Sequence, residues 1–297
     1  MTRQTTDLPL DPDKITANLK TRRIGRKVLV YDSTSSTQTI AAEYARNREN
    51  DGLVIFAEQQ TAGRGRAGNQ WHASRSDSIL CSVVLTQNNL PAELLSVTCA
   101  VAVAETIGKP ARSQARIKWP NDIMLNGKKV AGILLESKSL PSADCRLPIS
   151  KSKACPERSR RIESLSRAEP RDRKSEIYVV GIGINCHQKT DSFGAELQPI
   201  ATSIDIETNS VTDRISLAKR LLTTMDRWLE LAGRSSDKVI DEWQNLSIQL
   251  GHRVKLIYNG RQFAGNCIGI DPEKGLILQL DTGGVRMFDA AHSSIAK

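Results

Sequence analysis

The sequence predicts an α+β fold in which helices pack on a mixed β-sheet, with a small β-barrel at the C-terminal end. Apolar strand-like runs alternate with helix-like segments over most of the 297 residues. A largely apolar segment from Pro91 to Lys109 has the length of a buried core helix. After His252, short strands separated by turn residues replace the helices, which is typical of a small barrel.

The N-terminal part of the sheet is predicted from alternating helix and strand signals. A short helix at residues 11–21 is followed by an apolar strand. A second helix then begins at Ser36 or Thr37, whose hydroxyl would cap it, and its apolar face contains Ile40, Tyr44 and Ala41. Another strand precedes the glycine-rich loop, and a β-branched apolar run after the loop predicts strand again.

The middle of the chain predicts a β-hairpin next to a broken strand. Alternation predicts a strand that ends at Trp119, because Pro120 cannot continue it. Asn126 and Gly127 form a strong two-residue hairpin signal between two apolar runs. The run IYVVGIGINCH, residues 177–187, is the expected partner strand.

Several residues in these strands are unusual for a core. Lys118 occupies a position where a central strand prefers an apolar residue, so its ammonium group either extends to solvent or faces an anionic ligand. Three glycines interrupt apolar runs and indicate close approach to the backbone by a ligand or by another element. They are Gly132, Gly181 and Gly183.

Two further helices precede the barrel, and their apolar spacing predicts a buried face. The residues assigned to that face are Leu217, Leu221, Leu222, Met225, Trp228 and Trp243.

The composition predicts a cytoplasmic protein that does not enter a membrane. No apolar stretch reaches ~18 residues and the N-terminus has no secretory signal. The six cysteines lack C-x-x-C spacing, so free buried thiols are expected. The four histidines do not have metal-ligand spacing, and no protein-bound metal is predicted.

The net charge of +9 comes mainly from one segment. Residues 137–175 contain 11 Lys or Arg and 5 Asp or Glu, whereas the remainder contains 31 and 28. This segment is rich in Ser, Pro and Arg and has no aromatic residue, so it is predicted to be a disordered insert. A basic arm that binds nucleic acid remains an alternative for it.

The stretch TAGRGRAGNQW, residues 61–71, contains Gly63, Gly65 and Gly68 at dinucleotide-binding spacing. That motif requires a helix after the last glycine and an acidic residue about 20 positions later. Neither is predicted here. The glycines instead indicate a mobile loop whose arginines contact an anion, since guanidinium suits carboxylate and phosphate. A solvated surface loop is the alternative.

These segments together resemble the biotin–protein ligases. G-R-G-R with a downstream Trp, followed by K-W-P-N-D, A-G-I-L-L-E and V-G-I-G-I-N, is a specific combination. The resemblance extends from about Lys27 to the end and implies a core like that of class II aminoacyl-tRNA synthetases, with an SH3-like barrel after it. It implies residues 1–26 as an extension, 27–248 as a catalytic domain and 249–297 as the barrel.

The resemblance also implies the reaction. Enzymes of this family join biotin to ATP with Mg²⁺, form biotinyl-5′-adenylate, and pass biotin to a lysine of a biotin carboxyl carrier protein, a subunit of acetyl-CoA carboxylase or a related carboxylase. Arg66 and Lys118 match the catalytic positions, and Trp71 and Asn185 match the nucleotide side. Biotin binding is implied for Ser36, Thr37, Gln38, Gln60, Arg64, Gly65, Arg66, Lys118, Gly132, Gly181 and Gly183.

Two alternative functions can be distinguished from a biotin–protein ligase by features of the sequence. A biotin-sensing repressor needs a helix-turn-helix domain of roughly 60 residues before the core, so DNA binding is not expected and the monofunctional type is favoured. A lipoate ligase or octanoyl transferase shares the core but lacks G-R-G-R together with K-W-P-N-D. The sequence leaves the oligomeric state open between a monomer and a homodimer.

Overall fold

The computed structural model describes residues 9–111, 114–138 and 176–296. Its helices are α1 Pro12–Thr16, α2 Thr37–Tyr44, α3 Ala92–Ala111, α4 Ile204–Thr208, α5 Arg214–Arg234 and α6 Ser236–Leu246. The strands before α4 are β1 Val28–Tyr31, β2 Val54–Ala57, β3 Ser78–Asn88, β4 Arg116–Lys118, β5 Asp122–Leu125, β6 Lys128–Lys138 and β7 Glu176–Asn185. The later strands are β8 Arg253–Tyr258, β9 Arg261–Asp271, β10 Gly275–Leu280, β11 Val285–Phe288 and β12 Ser293–Ile295.

The first sheet has seven strands in the order β1-β2-β3-β7-β6-β5-β4. β1 and β2 are parallel and the other neighbours are antiparallel, so the predicted mixed sheet with helices is confirmed. β3 and β7 are buried almost throughout because helices cover both faces. Val83 belongs to the large core with α3, α5 and α6, whereas the adjacent Val84 packs in a smaller core with α2.

The second sheet has five antiparallel strands in the order β11-β10-β9-β8-β12. Its apolar residues Leu256, Leu276 and Phe288 are buried in the same core as α3 and α5. The last strand, β12, pairs with β8 and is not among the strands predicted from the sequence. The two sheets therefore share one apolar interior.

Most predicted elements are confirmed. Asn126 and Gly127 have φ of 48° and 81°, the left-handed pair that a tight hairpin requires. The six residues assigned to the core of α5 and α6 are buried. No helix opens after Gly68, where only a short turn is present. Within the residues that the structure describes, no helix is long and apolar enough to cross a membrane.

The predicted face of α2 is confirmed for Ala41, which is buried, and for Ile40, which packs partly buried against the smaller core, but it is wrong for Tyr44. Tyr44 is 37% exposed, and the inward-facing residues are Thr37, Gln38 and Ala41, with Ala45 directly after the helix. The cause is that this helix packs against polar groups, so its buried face does not follow apolar spacing. The cap is Ser36, whose hydroxyl accepts from the backbone N–H of Gln38 at 3.3 Å.

Two other predictions fall partly outside the described residues. Of the segment 137–175, only the start belongs to the end of β6, and residues 139–175 are not described. Cys145 and Cys155 also lie there. The remaining cysteines are buried free thiols, as predicted, namely Cys81, Cys99, Cys186 and Cys267.

Candidate functional site

A cavity of about 450 Å³ opens where the glycine-rich loop crosses the central strands β6 and β7. The start of α2 forms one wall, and residues 291–295 of the second sheet form another. All the predicted site residues except Asn185 line it. They are Ser36, Thr37, Gln38, Gln60, Arg64, Gly65, Arg66, Trp71, Lys118, Gly132, Gly181 and Gly183.

The start of α2 supplies a fixed polar wall. The carboxamide oxygen of Gln60 accepts from the backbone N–H of Thr37 at 2.7 Å and lies 3.0 Å from its hydroxyl. Ser82 Oγ lies 2.9 Å from both the Thr37 hydroxyl and Gln38 Oε1. Sequence reasoning missed Ser82, although a serine within the apolar run of β3 was the available signal. These contacts hold the hydroxyl and carboxamide groups in place before a ligand arrives.

Gly181 makes room for a side chain of the protein itself. A Cβ atom added there would lie 2.7 Å from Gln38 Oε1. The amide of Gln38 donates to the carbonyl of Val179 at 3.1 Å, so its position is fixed. The close approach predicted at Gly181 is thus made by another element of the fold, and its role in biotin binding stays a prediction.

Trp71 lies over the other two glycines. Gly132 and Gly183 are paired across β6 and β7. A Cβ atom added at Gly183 would lie 2.5 Å from Cε2 of Trp71, and one added at Gly132 would lie 3.0 Å from its Cζ3. A larger residue at Gly183 would therefore displace the indole, and one at Gly132 would press against its edge. The ammonium group of Lys129 lies 5.6 Å from the ring centroid.

The glycine-rich loop is a tight hairpin that brings Trp71 to this position. Gly65 N–H donates to the carbonyl of Asn69 at 2.7 Å, and Trp71 N–H donates to that of Gly63 at 3.0 Å. Gly68 has φ of 77°, a left-handed conformation that glycine adopts without strain.

The three predicted cationic side chains differ in their partners. Arg64 pairs with Glu136 at 3.4 Å. Arg66 donates to the carbonyls of Ser293 at 3.2 Å, Ala291 at 3.3 Å and Ala290, and burial lowers its pKa although Asp122 opposes this effect. The Lys118 ammonium group has no hydrogen-bond or ion-pair partner among the described residues, so it is free to bind an anion.

The second sheet is fastened to this site by buried polar contacts. The indole N–H of Trp119 donates to Ser293 Oγ at 2.9 Å. Both carboxylate oxygens of Glu93, at the start of α3, accept from the N–H of Ala290 at 3.0 Å. Burial raises the pKa of Glu93 to about 7. Residues 291–293 therefore form part of the cavity wall and are not a separate surface.

A second cavity of about 500 Å³ lies on the other side of the loop. It shares Gln60, Gln70 and Trp71 with the first cavity. Its far wall contains Gln188, Phe193 and Leu197. Two substrates could thus be held on either side of one indole.

Asn185 lines neither cavity. It is buried, and its amide donates to the carbonyl of Thr202 at 2.9 Å. Its carboxamide oxygen accepts from the side chain of Gln188 at 3.3 Å. The side chain of Asn185 is thus directed at other protein groups, and its role on the nucleotide side stays a prediction.

The fold and these two cavities define a class of α+β protein in which a tryptophan-bearing loop separates two adjoining cavities on a mixed sheet. Comparison with known proteins narrows this class to one family. The sequence model of the biotin/lipoate A/B protein ligase family matches residues 30–146. The bifunctional ligase/repressor BirA of Bacillus spizizenii is 30% identical over 285 residues, which cover 95% of this chain and 78% of that protein.

The chain therefore belongs to the biotin/lipoate A/B protein ligase family. The biotin--[acetyl-CoA-carboxylase] ligase of Mycobacterium tuberculosis is 28% identical to this chain. The alignment covers 87% of this chain and 85% of that protein. The biotin protein ligase of Aquifex aeolicus in complex with biotin and ATP aligns with a TM-score of 0.69 and 22% identity, over 92% of this chain and 99% of that one. The resemblance predicted from the sequence is confirmed.

Proposed function

We propose that the chain is an ATP-dependent ligase that attaches biotin to a lysine of a biotin carboxyl carrier protein. The observation that carries this proposal is the pair of cavities that meet at Trp71, with Lys118 in the first cavity, where its ammonium group has no partner among the described residues. Biotin and the triphosphate of ATP would occupy the first cavity, and the adenine base would occupy the second. Ligand cavities of 300–1,000 Å³ are typical for molecules of this size.

The proposed reaction has two steps and needs no protein nucleophile. The carboxylate oxygen of biotin attacks the α-phosphorus of ATP, a carbon–oxygen–phosphorus anhydride forms, and pyrophosphate leaves. The amine of the carrier lysine then attacks the acyl carbon, releases AMP and loses a proton. Both steps develop negative charge, and fixed cations near that charge lower the barrier.

Lys118 and Arg66 would supply those cations. Lys118 is available, whereas Arg66 donates to backbone carbonyls of the second sheet. A phosphate accepts stronger hydrogen bonds from guanidinium than a neutral carbonyl does. ATP would therefore compete with residues 290–293 for Arg66. Its hydrogen bonds to the carbonyls of Ala291 and Ser293 would keep Arg66 beside the first cavity until ATP binds.

Mg²⁺ would arrive on ATP as part of the substrate, where it shields the polyphosphate. Asp122 lines the first cavity, and its carboxylate lies 2.6 Å from the ammonium group of Lys129. Oxygen ligands suit Mg²⁺, so Asp122 is the side chain that fits this ion.

We also assign the two domains, the carrier protein and the cellular compartment. The five-stranded sheet would be the SH3-like domain of residues 249–297, and residues 27–248 would form the catalytic domain. The carrier would be a subunit of acetyl-CoA carboxylase or a related carboxylase, and the protein would act in the cytoplasm.

The test is incubation with biotin, ATP, Mg²⁺ and a carrier domain, followed by detection with streptavidin and measurement of pyrophosphate. We expect biotinylation of the carrier that requires ATP. The carrier with its acceptor lysine replaced by arginine is the control. Competition between biotin and lipoate shows whether the protein acts as a biotin ligase or as a lipoate ligase. If lipoate is transferred and biotin is not, the proposal is wrong.

A further inference from the structure

A buried ion pair lies at the base of the glycine-rich loop, and the proposed reaction does not use it. Glu58 directly follows β2, and Arg214 is the first residue of α5. Both side chains are 2% exposed, and Arg214 Nη1 lies 2.8 Å from Glu58 Oε2. Buried charges are costly unless they are paired and hydrogen-bonded. The pair therefore needs a reason beyond filling space.

The carboxylate of Glu58 joins the two ends of segment 59–75, which contains the glycine-rich loop. The chain enters this segment after Glu58 and leaves it at Ser76, two residues before β3 begins. Ser76 Oγ donates to Glu58 Oε2 at 2.8 Å, and the N–H of Ser76 donates to the carbonyl of Glu58 at 3.0 Å. The side chain and the backbone of Glu58 thus close the base of the segment that carries Arg66 and Trp71.

The same carboxylate is held from two further directions. Its other oxygen, Oε1, accepts from the backbone N–H of Leu10, which precedes α1. Arg214 Nη1 also donates to the carbonyl of Ser78, at the start of β3, at 3.4 Å. Burial alone would raise the pKa of Glu58, but the hydrogen bonds that its carboxylate accepts lower this pKa below its ordinary value. The group therefore stays ionised and fixed in place.

Stability alone does not explain this ion pair. A cation in the first turn of α5 faces the positive end of the helix dipole, which is unfavourable. Apolar side chains of similar volume often stabilise a protein as well as a buried ion pair does. They could not, however, accept a hydrogen bond from Ser76. What the ion pair supplies, and an apolar pair would not, is a fixed acceptor at the base of segment 59–75.

We propose that Glu58 is a positioning residue that, through Ser76, fixes the base of segment 59–75 and so determines how long the closed loop retains the activated intermediate. This inference rests on the proposed function, in which the intermediate is biotinyl-5′-adenylate. A loop with fixed ends loses less conformational freedom on closing than one with a loose end. Arg66 and Trp71 would then return to the same place at each closure.

The first test is Ser76→Ala, which removes the hydroxyl donor and leaves the ion pair between Glu58 and Arg214 in place. Biotinyl-5′-adenylate is formed without a carrier, the complex is isolated by gel filtration, and release of the intermediate is followed over time. We expect the half-life of the bound intermediate to shorten about fivefold, the equivalent of one hydrogen bond. An unchanged half-life would overturn the inference.

Arg75→Gln is the matched control. Arg75 directly precedes Ser76 and forms an ion pair with Asp32, but its side chain is half exposed and lines neither cavity. Exposed ion pairs contribute little to stability, so the half-life in this variant should equal that of the wild type. Shortening as large as that in Ser76→Ala would show that any change at this end of the segment has the same effect, and would contradict the proposal.

A double-mutant cycle assigns the effect to Glu58. Glu58→Gln preserves the shape of the side chain but removes the charge from the group that accepts from Ser76. It also leaves Arg214 without its counter-charge, so all half-lives are measured at one temperature at which every variant is folded. We expect Ser76→Ala to shorten the half-life less in the Glu58→Gln background than in the wild type. Equal effects in both backgrounds would show that the Ser76 hydroxyl acts through another group.

Hydrogen exchange needs neither biotin nor ATP, so it separates this inference from the proposed function. In Ser76→Ala, amide exchange should accelerate about fivefold in residues 63–71 and stay unchanged in β2 and β3. Faster exchange in the two strands as well would indicate a structural role and contradict the inference.

The two measurements together distinguish the possible failures. If exchange changes as expected but neither protein forms the intermediate, the proposed reaction is wrong and the role of Glu58 in fixing the segment stands. If the intermediate forms and neither its half-life nor the exchange changes in Ser76→Ala, the reaction stands and the role of Glu58 is wrong.

Discussion

The indole N–H of Trp119 donates a 2.9 Å hydrogen bond to the hydroxyl of Ser293, and both residues are buried. Trp119 directly follows Lys118, and Ser293 begins the last strand of the second sheet. One contact therefore links the segment that carries the available cation to the wall that holds Arg66.

Replacing Ser293 with alanine should loosen this link. The variant leaves the Trp119 N–H buried without an acceptor, which costs on the order of 1–3 kcal/mol. We expect the free energy of unfolding to fall by that amount, and pyrophosphate release to fall several-fold as Lys118 loses its support. Ser294→Ala is the control, since Ser294 is exposed on the same strand. Equal effects of the two variants would contradict the assignment.

Lys118→Ala should abolish most adenylation without unfolding the protein. The side chain has no partner among the described residues, so its loss leaves no buried group unpaired. Removal of one electrostatic partner of the transition state typically costs ~3 kcal/mol, or roughly 100-fold in rate. Pyrophosphate release and melting temperature are measured together, with the exposed Lys255→Ala as control. Near-normal release in Lys118→Ala would exclude this residue from catalysis.

Arg66→Ala should differ from Lys118→Ala in stability. It removes a cation from the site, so adenylation should again fall by roughly 100-fold. It also removes hydrogen bonds to the carbonyls of Ala291 and Ser293, so the melting temperature should fall as well. Thermal unfolding with and without ATP tests this difference. An unchanged melting temperature would show that Arg66 does not fasten the second sheet in solution.

The stability of the protein should depend on the protonation of Glu93. Burial raises the pKa of this carboxyl from 4.5 to about 7. The folded state thus binds the proton more tightly than the unfolded chain, and the resulting stabilisation is complete below the unfolded value and lost as the pH rises through 7.

Glu93→Gln removes this dependence. Between about pH 5.5 and pH 8, the free energy of unfolding of the wild type should fall by roughly 2 kcal/mol relative to the variant. Urea unfolding of both proteins at several pH values measures the difference. Parallel pH profiles for the two proteins would show that Glu93 is not buried against Ala290 in solution.

The basic segment should be dispensable for chemistry. Lys138 at the end of β6 pairs with Ile177 near the start of β7, so the two strands are already joined at this end. A turn of 2 to 5 residues normally closes such a hairpin, and loop-closure entropy changes by only about 0.6 kcal/mol per doubling of length. Replacing residues 139–175 with a short Gly-Ser turn should leave adenylation within a few-fold of the parent. A folded but inactive protein would place the segment in the active site.

Short-range sequence patterns predicted the strands and the hairpin, because neighbouring residues determine these structures. The turn at Asn126 and Gly127 needs two left-handed residues, and this requirement is visible in the sequence. The face of α2 was predicted only in part, because Thr37 and Gln38 are buried against polar partners, Gln60 after β2 and Ser82 in β3, which no periodicity reveals.

The glycines at the site also show that a local sequence pattern does not identify the partner. A glycine in an apolar strand predicts that something approaches closely, but only the fold shows that Gln38 approaches Gly181 and Trp71 approaches Gly183. The short strand β12 lacks a pattern of its own and is defined by its pairing with β8. Ser293 and the carbonyls that hold Arg66 could not be predicted for that reason.

The position of Trp71 between the two cavities has a thermodynamic consequence. Under the proposed function, biotin in one cavity and adenine in the other would contact the same indole, and the free energies of the two binding events would then depend on each other. Linkage requires that any factor by which biotin changes the affinity for the nucleotide equals the factor by which the nucleotide changes the affinity for biotin. A single side chain thus couples the occupancy of two sites in both directions.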